Sequence, residues 1–117
     1  GWRKPTPPSP ARARAAAAAR GRQLHAHARN LLARAIVRSY LNLQNAFAQR
    51  EVLQRVLSQR AEVVDLTRGR KAAGLDTEVE VKQAESSLAA GRVELTRNET
   101  TIAQLRNQVA ALAGAGP

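Results

Sequence analysis

The sequence predicts an all-α fold, a long antiparallel helical hairpin of the coiled-coil kind. Three observations carry this expectation. Val81, Leu88, Leu95, Ile102 and Val109 recur every seven residues, and Ala84, Gly91, Asn98, Leu105 and Leu112 interleave with them at 3,4 spacing, the pattern of a supercoiled seam. A second helix-forming run, rich in Leu, Val, Arg and Gln, extends without Pro or Gly from Leu31 to about Arg68. Between the two lies KAAGLDTEVE, which carries the residues of a tight turn.

In chain order, GWRKPTPPSP has four prolines in ten residues and reads as an extended tail. ARARAAAAARGRQ is helix-prone by propensity, with Gly21 as its weak point. Residues 1–30 are therefore expected to form a basic Pro/Ala/Arg-rich arm, disordered or partly helical. From Leu32 the residues Ile36, Tyr40, Leu43 and Phe47 follow 4,4,3,4 spacing and share one face of the first helix, placed at about 31–72. The pairs Val52/Leu53, Val56/Leu57 and Val63/Val64 broaden that stripe, which implies contact with more than one neighbour.

Gly74 is placed to cap the first helix, because Gly takes positive φ without steric cost. Thr77 and Glu80 fit the S/T-x-x-E capping box that opens the second helix, at about 77–113, so residues 73–77 form the tip. Gly114 and Pro117 end the pattern. Two helices of roughly 40 residues give a hairpin about 60 Å long at 1.5 Å rise per residue. Residues 31–117 make up this hairpin.

Composition sets limits on function. Of 51 apolar residues 24 are Ala, and only three side chains are aromatic, so little large apolar surface exists to build a self-sufficient core. There is no Cys, which excludes disulfides, a thiolate nucleophile and a Cys-based zinc site. No Ser-His-Asp set, phosphate-binding Gly loop or carboxylate pair in a pocket is present, so no enzyme activity and no cofactor are expected. His25 and His27 are two residues apart and diverge on a helix, which argues against a shared metal. No run of 18 apolar residues and no apolar leader core occur, so neither a membrane span nor an export signal is expected within these residues.

The net charge of +10 sits in the first half: residues 1–50 hold ten Lys or Arg and no acid, whereas residues 51–117 hold nine of each sign. A nucleic-acid partner is disfavoured all the same, because the heptads begin far from the basic segment and beyond a turn, and Asn30 is its lone base-reading residue. A basic coiled-coil nucleic-acid-binding or structural protein is the competing reading.

Around the turn, Arg68, Arg70 and Lys71 oppose Asp76, Glu78 and Glu80. Solvent-exposed pairs of this kind contribute little to stability. Asn98, within the apolar seam, either fixes register or faces water.

Four pieces in order, A-I-V-R-S-Y-L-N-L-Q (35–44), a long Leu/Arg/Gln-rich helix, G-L-D-T-E-V-E-V-K-Q-A (74–84) and L-R-N-Q-V-A-A-L-A-G-A-G-P (105–117), give the chain a resemblance. It resembles the outer membrane factor family, the TolC-like and OprM-like channels of tripartite efflux and type I secretion. Tyr40 and Leu43, Gly74 and Leu75, Glu80, Val81 and Ala84, and Asn107, Ala110, Leu112, Gly114 and Pro117 stand at the family's positions. Glu80 replaces the family's Asp, and residues 1–33 lack the acids of the family's Ala-rich helix.

The resemblance implies one hairpin of a homotrimeric passive conduit, located in the outer membrane with a periplasmic α-barrel. It implies a docking tip, Gly74, Leu75, Asp76 and Thr77, for a periplasmic adaptor that works with an inner-membrane pump. It further implies that charge pairs among Arg70, Lys71, Glu78 and Glu80 narrow the entrance, and that Val81, Leu88, Leu95, Ile102 and Val109 pack the barrel.

Overall fold

The computed structural model describes residues 1–115, and within them the chain is a two-helix antiparallel hairpin measuring 104 × 36 × 14 Å. Helix α1 spans Pro10–Ala72 and α2 spans Glu78–Gly114. Pro117, expected as part of the helix stop, lies outside the described residues. Among the described residues no helix is long and apolar enough to cross a membrane.

Helix α1 begins at Pro10 and not near residue 31. Three local causes act together. Ser9 accepts the Arg12 N–H on its side-chain oxygen at 3.2 Å, Pro10 occupies the first helical position where its missing N–H is no loss, and the Ala/Arg run has the highest helix propensity in the chain. Gly21 meets nothing within 4 Å and is absorbed by the helix. At 63 residues α1 is 26 residues longer than α2, which has 37. Leu32 is the first residue of α1 that is not fully exposed, so the segment before it projects past the end of α2 as a single helix.

The heptad face of α2 is the face it turns to α1. Val81, Ala84, Gly91, Asn98 and Ile102 are buried, while Leu88, Leu95, Leu105, Val109 and Leu112 are half-buried. The matching seam of α1 is less apolar than expected. Its two columns are Ile36, Leu43, Arg50, Leu57 and Val64, and Leu32, Ser39, Ala46, Leu53, Arg60 and Thr67, all buried or half-buried. Tyr40, expected on this face, is 53% exposed. Ser39 holds the seam position, and Tyr40 lies one residue round the helix on the flank.

The seam is held by packing and by two polar crossings. Leu43, Ala46 and Ile102 form a buried cluster with Phe47, Leu105 and Val109 against it. Arg50 and Arg106 lie over the Phe47 ring, 5.2 and 5.1 Å from its centroid, and cover its faces with their guanidinium planes. Asn98 donates from Nδ2 to the Ala46 carbonyl at 3.1 Å, and Arg60 donates to the Ser87 carbonyl at 2.8 Å. Arg60 fits because Gly91 faces it: a Cβ on Gly91 would lie 3.0 Å from Leu57 Cδ2 and 3.1 Å from an Arg60 terminal nitrogen.

Candidate docking site at the hairpin tip

The apex is built from backbone geometry. Gly74 has φ of 76°, the left-handed conformation in which an L side chain is strained. Its N–H donates to the Lys71 carbonyl at 3.0 Å, and the Leu75 N–H donates to the Arg70 carbonyl at 2.8 Å. These two bonds are the full Schellman closure of α1. In that motif the residue at the Leu75 position usually packs on an apolar residue near the helix end. Here the candidates, Arg70 and Gly69, offer none, and Leu75 is left 65% exposed.

Thr77 opens α2 with a capping box. The Glu80 carboxylate accepts from the Thr77 N–H at 2.7 Å and from its hydroxyl. Glu80 is thus occupied by the turn and takes no part in the charge network. The cations pair elsewhere: Arg70 Nε donates to Asp76 at 2.9 Å, Lys71 to Glu78, and Arg68 to Glu85 at 3.2 Å. Lys82 completes the chain of charges, 3.7 Å from Glu78 and 3.6 Å from Glu85. Arg68–Glu85 was not among the pairs the sequence suggested. Glu85 lies beyond the turn, and only the antiparallel register brings it back to Arg68.

Two carboxyls at the tip titrate below the usual carboxylate range. Glu78 is lowered by its hydrogen bond and charge attraction with Lys71, and less by Lys82. Glu80 is lowered by hydrogen bonds from the Thr77 hydroxyl and N–H. Because both are depressed in the fold, their contribution is complete above the unfolded value, about pH 4.3, and is lost as pH falls through the folded values. Circular-dichroism melts between pH 7 and pH 3 are therefore expected to show a smaller acid-induced drop in Tm for Glu80→Gln than for the parent chain. An equal drop in both would remove Glu80 from the tip's stabilisation.

The tip therefore presents one exposed Leu on a rigid turn, flanked by Asp76 and Thr77, with Val79 exposed one turn into α2. His25 and His27 lie on the projecting part of α1, far along the chain from this apex, and both are exposed.

Fold and apex together define a class: a long antiparallel helical hairpin with a solvent-facing apolar tip. No family model matches the chain, and no solved structure matches it. It is similar to the fusaric acid resistance protein FusA of Burkholderia cepacia, with 36% identity over 100 residues, covering 79% of this chain and 19% of that protein. The chain thus spans about a fifth of the length of that relative.

These findings correct the expected membership of the outer membrane factor family. The relative found is a fusaric acid resistance protein, and no family model supports the resemblance. The physical reason is that most of the motif pieces are what any capped hairpin requires. Gly74 closes a Schellman turn, Thr77 and Glu80 form a capping box, and Val81 and Ala84 begin a seam. They specify an architecture and not a family.

Proposed function

We propose that this chain is the helical hairpin of an efflux-related transport component, and that its tip docks end-on against a helical protein of the same multi-component system. The observation that carries this is Leu75, held outward by a closed turn that supplies no apolar neighbour. A rigid, exposed apolar anchor of this kind is suited to fill a pocket on a partner. Similarity to a resistance protein supports the transport setting, since moving a toxic acid out of the cell is one route to resistance. In this reading the hairpin has a mechanical role and carries no catalytic group.

Leu75→Asp tests the reading. The side chain is already solvated, so Tm is expected to stay within about 2 °C, matching the ±0.5 kcal/mol of ordinary surface changes. Tolerance of fusaric acid in cells producing the whole protein is expected to fall at least fourfold. Unchanged tolerance with the protein present at normal abundance would overturn the docking role of the tip.

A further inference from the structure

The projecting part of α1 supplies an observation independent of the tip. Read as a disordered tail, its charges point to no particular anion; as a continuous helix they do. Arg12, Arg14, Arg20, Arg22 and Arg29 are all exposed on it. At 100° per residue they fall at roughly 0°, 200°, 80°, 280° and 260° around the axis, so cations face every side. No acid lies before Glu51, and the last acid of α2 is Glu99, so α2 brings no carboxylate to this end. The ion pairs among the described residues all involve Arg68 or later residues.

This helix is also unfavourable to itself. Its first turn contains no acid, so Arg12 and Arg14 sit near the positive end of the helix dipole without compensation. Arg34 and Arg38 add a like-charge i,i+4 pair. A polyanion would relieve both.

We propose that residues 10–38 form a binding surface for duplex nucleic acid, engaging its phosphates without reading sequence. Geometry selects the duplex over a lipid surface. An α-helix with side chains is about 10–12 Å across and enters a major groove about 12 Å wide, whose two walls of phosphate meet cations on opposite helix faces. A bilayer meets one side only and holds such a helix through an apolar stripe. Between Pro10 and Asn30 the one large apolar side chain is Leu24. Asn30 is the one base-reading side chain among these residues that is not Arg, His or Gln, and the scattered azimuths aim no set of them at base edges. Affinity therefore comes from counterion release.

The test is fluorescence anisotropy of the full chain with a labelled 24-base-pair DNA duplex across a salt series. About five phosphate contacts predict a slope of log K against log salt of about −4 to −5, with equal affinity for a duplex of shuffled sequence. Replacing all five arginines, R12Q, R14Q, R20Q, R22Q and R29Q, is expected to weaken binding at least tenfold at low salt and to flatten the slope. Helicity of the parent chain is expected to rise on adding duplex. The corresponding five Arg→Lys changes keep the charge and are expected to keep binding within threefold, which decides the matter should the Gln variant lose its helix. No binding at low salt, an unchanged slope in a folded Gln variant, loss of binding in the Lys variant, or tighter binding to vesicles of equal phosphatidylglycerol and phosphatidylcholine would each overturn the proposal. Tip docking stands or falls separately, because Leu75→Asp leaves this surface intact.

Discussion

Gly91→Leu is expected to be the most damaging single substitution in the seam, lowering Tm on the order of 10 °C. Gly91 is buried beneath Leu57 and Arg60, and even a Cβ there would come within 3.0 Å of Leu57 Cδ2 and 3.1 Å of the Arg60 guanidinium. A Leu side chain drives both away and breaks the Arg60–Ser87 crossing. Overpacking of this kind costs about 1–3 kcal/mol, and the lost hydrogen bond about 1 kcal/mol more. In a domain of this size about 1 kcal/mol corresponds to a few degrees in Tm. Gly91→Ala separates the causes. Its neighbours are flexible side-chain ends that yield a few tenths of an ångström, and replacing a mid-helix Gly gains about 1 kcal/mol. The Ala variant is therefore expected to melt within about 3 °C of the parent, and a loss as large as that of Leu would contradict this account of the seam.

Asn98→Leu is expected to act in the opposite direction, raising Tm by about 5–10 °C. Asn98 is buried, its Nδ2 is satisfied by the Ala46 carbonyl, and its Oδ1 has no protein partner among the described residues. An unsatisfied buried acceptor costs about 1–3 kcal/mol, and Leu removes it while burying more apolar surface. The gain is offset in specificity, because a buried polar residue that bonds in one register disfavours the others. Thermal melts of Asn98→Leu combined with hydrogen exchange at Ala46 and its neighbours check both halves. A lower Tm would mean that the Asn98–Ala46 bond outweighs the orphaned oxygen.

Much of this architecture could be read from the residues, and the parts that could not have identifiable causes. α2 was legible because one of its columns, Val81 to Val109, is aliphatic throughout. The turn was legible because Gly74 and the Thr77/Glu80 pair are local devices whose chemistry does not depend on tertiary contacts. The seam of α1 was obscured because Ser39, Ala46, Arg50, Arg60 and Thr67 occupy heptad positions, while Tyr40, Val52 and Val63 draw the eye to flanking ones. Arg60 can occupy a seam position because its apolar stem packs and its charged head reaches a backbone carbonyl. No periodicity of hydrophobic residues reports that.

The tip shows the same division. Which residues form the apex followed from the turn chemistry, but how the charges divide did not. Glu80 is withdrawn into the capping box, and Glu85 replaces it as a partner for the cations of α1. The start of α1 was missed for a different reason. Four prolines suggested an extended tail, yet Pro10 is the one proline that a helix accommodates, at its first position and behind the Ser9 cap.

The central claim, that the apex of this hairpin is its docking end, is tested most directly by crosslinking from single cysteines. The chain has no native Cys, so Leu75→Cys and the mid-helix control Thr96→Cys each place one thiol at an exposed position. In cells producing the whole protein with its transport partners, a short bismaleimide is expected to join Leu75→Cys to one partner peptide. Mass spectrometry should place that peptide at a helix turn of another component of the transport system. The Thr96→Cys control is expected to give no such adduct. Equal adducts from both positions, or none from Leu75→Cys while the system is assembled and active, would contradict the account.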